Sequence, residues 1–240
     1  MLEEMAKAGL LFGRKHSRTN PKMKNYIYTS RNGVEIFDLV QTIDLIEKAK
    51  NFLKTAVQTG RPILFVGTTP ASQAVVRATA EKFGFPFVTE RWLGGTLTNF
   101  ETINKRLNYY MNLKSDQQTG KLEKYTKKER TAMEKEIERL TRLFGGLEKM
   151  TTMPAAVVVA GADAHLIAIR EAKRMKVPVV SIVNTSGAPE MITHVIPAND
   201  NALSSIAFIF AKLSEGISAG IQEKGTLTAA STKNQAPNNK

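Results

Sequence analysis

Three histidines and no cysteine are all that this chain offers to nucleophilic or thiolate chemistry. His165 follows Asp163 at the start of an expected helix and His194 stands beside Thr193 before an expected strand, but no G-x-S-x-G turn supplies a serine partner. A satisfied structural or surface imidazole accounts for both. Absent Cys, there are no disulfides, no thiol catalysis and no Cys-ligated metal, and the composition agrees with a reducing compartment. Carboxylates are sparse where a metal-dependent α/β enzyme would place them, because Gly161, Asn184, Gly187 and Ala188 hold the strand-end loops. Catalysis is not expected, and neither is a cofactor or a side-chain metal site.

Polyanion binding is the chemistry that the composition does favour. The formal charge is +12, from 34 basic and 22 acidic side chains. Such a field speeds encounter with nucleic acid or anionic lipid, although it also keeps many proteins merely soluble. Clustering favours nucleic acid: Arg14, Lys15, Arg18, Lys22, Lys24 and Arg31 stand between Gly9 and Asn32 with no acid among them. Tyr26 and Tyr28 accompany them, so cations could sit on phosphates and rings on bases or sugars. A solvated arm whose Phe12 and Tyr26 tuck into the body is the alternative. No apolar run is long enough to span a membrane, and Met1-Leu2-Glu3-Glu4-Met5 carries acids where a signal peptide has bases. The expectation is a cytoplasmic protein with neither a membrane nor a small-molecule substrate.

These residues need a scaffold, and the sequence turns a corner at Glu90-Arg91-Trp92-Leu93-Gly94-Gly95-Thr96-Leu97-Thr98-Asn99-Phe100. Gly94 and Gly95 permit positive φ or a close backbone approach, and Trp92, the one Trp, brings a large apolar face with an N–H donor. A helix-opening turn around a core Trp accounts for Trp92, Gly94, Gly95, Thr98 and Asn99 better than a ligand loop does.

Before the corner, residues 1–33 show no sustained period and read as a basic N-terminal arm. Val34 to Leu39 alternates like a strand, and Thr42 can cap a helix running to about Val57, with Gly60 beyond it. Pro62 to Gly67 is a continuous apolar run, the mark of a strand covered on both faces, and it leads through Thr68-Thr69-Pro70 into a helix to Phe83. That loop could hold a phosphate, but it has neither G-x-x-x-x-G-K-[ST] nor G-x-G-x-x-G. Phe85 to Val88 is a further short strand.

After the corner, Phe100, Ile103, Leu107 and Tyr110 step by 3 and 4, a polar break follows at Ser115 to Gly120, and Met133, Ile137, Leu140 and Phe144 repeat the pattern. Thr126 and Glu129 fit a capping box. Residues 101–149 therefore read as an antiparallel coiled-coil helical hairpin zipped along those seams, with Lys105, Arg106, Lys127 and Lys128 on its outer faces. Strand, helix and strand then resume at 155–160, 162–175 and 177–183. A brief strand at 195–197 and a last helix capped by Asp200 or Asn201 complete the pattern. The fold class is α/β: a three-layer, mostly parallel sheet of flavodoxin-like or Rossmann-like type over 34–100 and 150–220, with an inserted hairpin. Residues 221–240 have a disordered composition.

Several stretches together resemble one family. Gly9-Leu10-Leu11-Phe12-Gly13 with Asn20-Pro21-Lys22-Met23, Phe65-Val66-Gly67-Thr68, Arg91-Trp92-Leu93-Gly94-Gly95-x-Leu97-Thr98-Asn99, Ala168-Ile169-x-Glu171-Ala172 and Val195-Ile196-Pro197-x-Asn199-Asp200 are similar, in that order over residues 5–220, to the bacterial-type second protein of the small ribosomal subunit. The resemblance implies a protein docked between the head and body of the subunit, contacting ribosomal RNA and neighbouring proteins and helping to recruit the large first protein. It carries RNA contact onto Asn20, Lys22, Lys24 and Arg91. Family members usually read Gly-Val-His-Phe-Gly-His near the start, whereas Leu11 and Arg14 replace both histidines here, and Gly161, Asn184 and Ala188 replace common acids. A divalent ion held by those side chains in relatives is therefore not expected, and Arg14 would add a phosphate contact. Two other classes remain as rivals: a sugar-phosphate or nucleotide-binding α/β enzyme using Gly67-Thr68-Thr69, and a free coiled-coil adaptor.

Overall fold

The structure is a computed structural model that describes the backbone of residues 1–233 and the side chains of residues 1–224. It opens with α1 (Leu2–Lys7), β1 (Phe12–Lys15), β2 (Ile27–Arg31) and β3 (Val34–Phe37), the strands forming an antiparallel sheet of order β1-β3-β2. The N-terminal segment is thus folded and not the periodless arm expected from sequence. Register shifts in both strand pairs hide the alternation. Asn32 at φ 52° and Gly33 at φ 74° form the tight turn between β2 and β3, a dipeptide suited to two successive positive φ values. Met5, Leu10 and Met23 are fully buried and anchor the segment to the body.

Helix α2 (Leu39–Gln58) begins earlier than expected because Asp38, not Thr42, caps it, accepting from the Val40 and Gln41 amides at 2.9 and 3.3 Å. Thr42 instead donates its hydroxyl to the Pro197 carbonyl at 3.0 Å. β4 (Ile63–Val66), α3 (Pro70–Phe83) and β5 (Phe87–Val88) follow, then α4 (Phe100–Gln118), α5 (Lys127–Phe144), β6 (Ala156–Val159), α6 (Leu166–Arg174), β7 (Val179–Val183), β8 (His194–Pro197) and α7 (Leu203–Lys233). The main sheet is parallel throughout, in the order β5-β4-β6-β7-β8. This is the doubly wound order of flavodoxin-like folds, with a switch point between β4 and β6.

Alternation along the strands sorts the core into two layers. Ile63, Phe65, Ala156, Val158, Val180 and Ile182 face α2, α3 and α7, while Leu64, Val66, Val157, Val159, Val179 and Val183 face α6 and the base of α4 and α5. Two boundaries differ from expectation. α4 continues through the polar break at Ser115, and the backbone after Gly220 stays helical to Lys233; residues 234–240 lie outside the described residues.

The helical excursion is also less separate than its periodicity suggests. Leu107, Tyr110, Leu140 and Phe144 do not merely zip to one another, since they share a buried cluster with sheet residues Leu64, Val66 and Val157. The Tyr110 hydroxyl and the Lys114 ammonium both donate to Glu148 at 2.9 and 2.7 Å, and a Cβ on Gly146 would lie 2.2 Å from the Phe87 carbonyl. Excising residues 102–146 should therefore abolish the cooperative thermal transition, because each large core side chain lost costs about 2–5 kcal/mol. A shorter excision, residues 115–132, takes only Leu122 from the buried hydrophobic set and should leave that transition within a few degrees of the parent. A cooperative fold surviving the longer excision would show the base to be dispensable.

Candidate nucleic-acid interface

The corner is organised by a residue that the corner does not contain. Glu171 on α6 is 8% exposed, and no cation pairs with it among the described residues. Its Oε1 accepts from the Trp92 indole N–H at 3.1 Å and the Gly95 amide at 2.8 Å, and its Oε2 accepts from the Leu97 amide at 3.0 Å and from the amide and hydroxyl of Thr98 at 3.3 Å. Burial pushes the Glu171 carboxyl up, but the hydrogen bonds from Trp92, Gly95, Leu97 and Thr98 outweigh it and hold the group below the ordinary value. Gly95 takes φ 90° within this cradle, while Gly94 does not reach positive φ. Asn99 precedes α4 without a side-chain cap. The corner is an internal joint between α6 and α4, with Arg91 exposed at its edge.

At the carboxyl ends of β4 and β6, where doubly wound sheets bind ligands, Thr68, Arg91, Trp92, Asp163 and His165 line a cavity of about 470 Å³. The amide that a phosphate would need is already engaged. His165 donates Nδ1–H to the Gly161 carbonyl at 2.7 Å, which leaves Nε2 to accept from the Thr68 amide at 2.8 Å. Burial lowers the His165 pKa and keeps the ring neutral in this role. Gln73 donates to the Thr68 carbonyl at 3.2 Å, and the Ser72 and Gln73 amides turn back to Thr69. The Gly67-Thr68-Thr69 loop is thus closed on itself, as an ordinary strand-to-helix connection is.

The residues of the N-terminal segment divide into inward and outward sets. Arg14 points inward: its guanidinium lies 3.5 Å from Asp200 and 3.8 Å from Asp163, and its backbone amide donates to Thr185 at 2.9 Å. Two carboxylates thus hold the guanidinium that the sequence suggested for a phosphate. A fixed guanidinium between two carboxylates is also a poor neighbour for a divalent cation. No group of three or more His, Asp or Glu among the described residues could hold a metal. The residues present do not fit such an ion.

Asn20 is likewise engaged within the fold: its side chain donates to the Gly187 carbonyl at 2.8 Å and accepts from the Lys22 amide at 3.0 Å. Lys22 pairs with Glu190. Outward stand Lys15, Arg18, Lys24 and Arg31, all exposed and without a side-chain partner among the described residues. Two rings flank them: Tyr28 is 76% exposed and Phe12 49%, whereas Tyr26 packs against the core. On the excursion, Lys105 pairs with Glu101 at 2.8 Å, while Arg106, Lys127 and Lys128 are exposed.

Composition signalled the basic surface, but it could not separate Arg14 and Lys22 from the free cations. Glu171 was legible only as part of an Ala-Ile-x-Glu-Ala stretch, without its role.

Comparison with known proteins agrees with this architecture. The family model for ribosomal protein S2 matches residues 5–220. The chain is 38% identical over 235 residues to small ribosomal subunit protein uS2 of Nocardia farcinica, covering 98% of this chain and 82% of that protein. With the corner motif in place, a five-stranded parallel sheet and a match over nearly the whole length, the chain belongs to the ribosomal protein S2 family.

Proposed function

We propose that this protein is a non-enzymatic constituent of the small ribosomal subunit, holding ribosomal RNA through the outward cations of its N-terminal sheet. The observation that carries the RNA contact is the grouping of Lys15, Arg18, Lys24 and Arg31, exposed and unpaired among the described residues, beside exposed Tyr28 and Phe12. Cations place phosphates and rings stack on unpaired bases, so this combination suits RNA better than an acidic protein face. Arg91, Arg106, Lys127 and Lys128 extend the positive surface to the corner and the helical excursion. Neighbouring subunit proteins, including the first, are the partners that family membership suggests, in a position between head and body.

The closed Thr68 loop disfavours the nucleotide-enzyme reading. The test is co-sedimentation with small subunits in cells lacking the native copy. The protein should be stoichiometric in the subunit fraction at moderate salt and should leave it as salt rises. Complete absence from that fraction would overturn the proposal.

A further inference from the structure

The N-terminal sheet contains a cavity that none of this explains. His16, Thr19, Pro21, Lys24, Ile27 and Glu35 contribute to its lining, and its volume is about 500 Å³, ample for a nucleobase. Glu35, on β3, is 3% exposed, yet its single side-chain partner among the described residues is the Nδ1 of His16, whose own side chain is 77% exposed. The second carboxylate oxygen of Glu35 has no hydrogen bond among the described residues. Thr19 contributes a buried hydroxyl that also lacks a partner. The Glu35 oxygen is not among the fully buried unpaired atoms, so a ligand can reach it from the cavity that Glu35 lines. The ligand must be a donor, since an ionised carboxylate only accepts.

We infer that this cavity receives one unpaired guanine of the bound RNA, read by Glu35. Guanine is the base that presents two neighbouring donors, N1–H and N2–H, on its Watson–Crick edge, and a carboxylate can accept both side by side, as it does from a guanidinium. Adenine and cytosine offer that edge only one amino group each, and uracil one ring N–H. Lys24 at the rim can meet the phosphate of that nucleotide. An arginine from a neighbouring protein would also suit a buried carboxylate. The surroundings favour RNA, because no other acid lies between Gly9 and Arg31 while Lys15, Arg18, Lys24 and Arg31 are exposed, a field that repels a basic peptide.

The inference rests on the RNA-binding reading above, and fluorescence polarisation with the full-length chain can separate the two. Short labelled oligouridines would carry one central guanosine, inosine or adenosine, inosine lacking only the 2-amino group. The guanosine strand should bind about tenfold more tightly than either of the others, the discrimination typical of a paired base contact. Glu35→Gln should bring guanosine and inosine within about twofold of each other. The guanosine-to-inosine comparison on the unmodified protein stands even if that variant does not fold. Equal affinity for all three strands would overturn the guanine pocket, as a water-filled cavity predicts, and leave salt-dependent RNA binding intact. No binding to any strand would remove both readings. Glu35-dependent binding of an arginine peptide, with no guanosine preference, would reassign the cavity to a protein neighbour.

Discussion

Replacing Glu171 by Ala should destabilise the protein by roughly 3–5 kcal/mol, because the Trp92 indole and the Gly95, Leu97 and Thr98 amides lose their common acceptor and each buried donor left alone costs about 1–3 kcal/mol. In a chain of this size the thermal midpoint should fall by about 6–20 °C. Glu171→Gln should recover little of it, since an amide has only one acceptor oxygen to place where two are used. The same group predicts a pH dependence. Its folded pKa lies below the unfolded value, so its contribution is complete above about pH 4.3 and drains away as pH falls through the folded value. Melting curves of parent and Glu171→Gln should therefore converge toward low pH. A midpoint for Glu171→Ala within about 2 °C of the parent would mean that the corner is held by something else.

RNA affinity should depend steeply on salt, and within the N-terminal segment the dependence should reside in the outward cations. Changing Lys15, Arg18, Lys24 and Arg31 together to Gln should lower the log–log salt slope by about 3 and weaken binding at low salt by roughly a hundredfold or more, at about 0.7–0.9 per phosphate contact. Neutralising Arg14 and Lys22 should change the slope by less than about 1, because Asp163, Asp200 and Glu190 already hold them. A titration series with small-subunit RNA measures both slopes. Equal losses from the two sets would show that the ion pairs open on RNA and that contacts spread over the whole segment.

The buried strands were legible because a covered parallel strand is apolar on both faces, and Ile63 to Val66 and Ala156 to Val159 are apolar throughout. The capping box of Thr126 and Glu129 was legible because its partners are three residues apart. What sequence hid was long-range. Glu171 looks like a solvated acid on an amphipathic helix until its partners at Trp92 to Thr98 are brought against it. The seam through Leu107 and Phe144 declares which face of each helix is apolar but not what covers it, and the cover includes the sheet. β1 and β2 were lost to their register shifts, although Asn32-Gly33 was a usable hairpin signal.

The tie between the N-terminal segment and the far end of the chain sets the order of folding. The Gly9 carbonyl accepts from the Asn199 side chain at a separation of 190 residues, the Ala8 carbonyl accepts from the Ser204 hydroxyl at 196, and the Asn20 amide donates to the Thr185 carbonyl. Such contacts cannot close until the chain has been made through Ser204, and translation at about 5–20 residues per second leaves the segment without its partners for about ten to forty seconds. During that interval Arg14 has neither Asp163 nor Asp200 and Lys22 has no Glu190, so the nascent chain carries more unpaired positive charge than the mature one. Docking of this segment is therefore a late step with a large loop-closure entropy, and it pairs two cations that were free until the later strands were made.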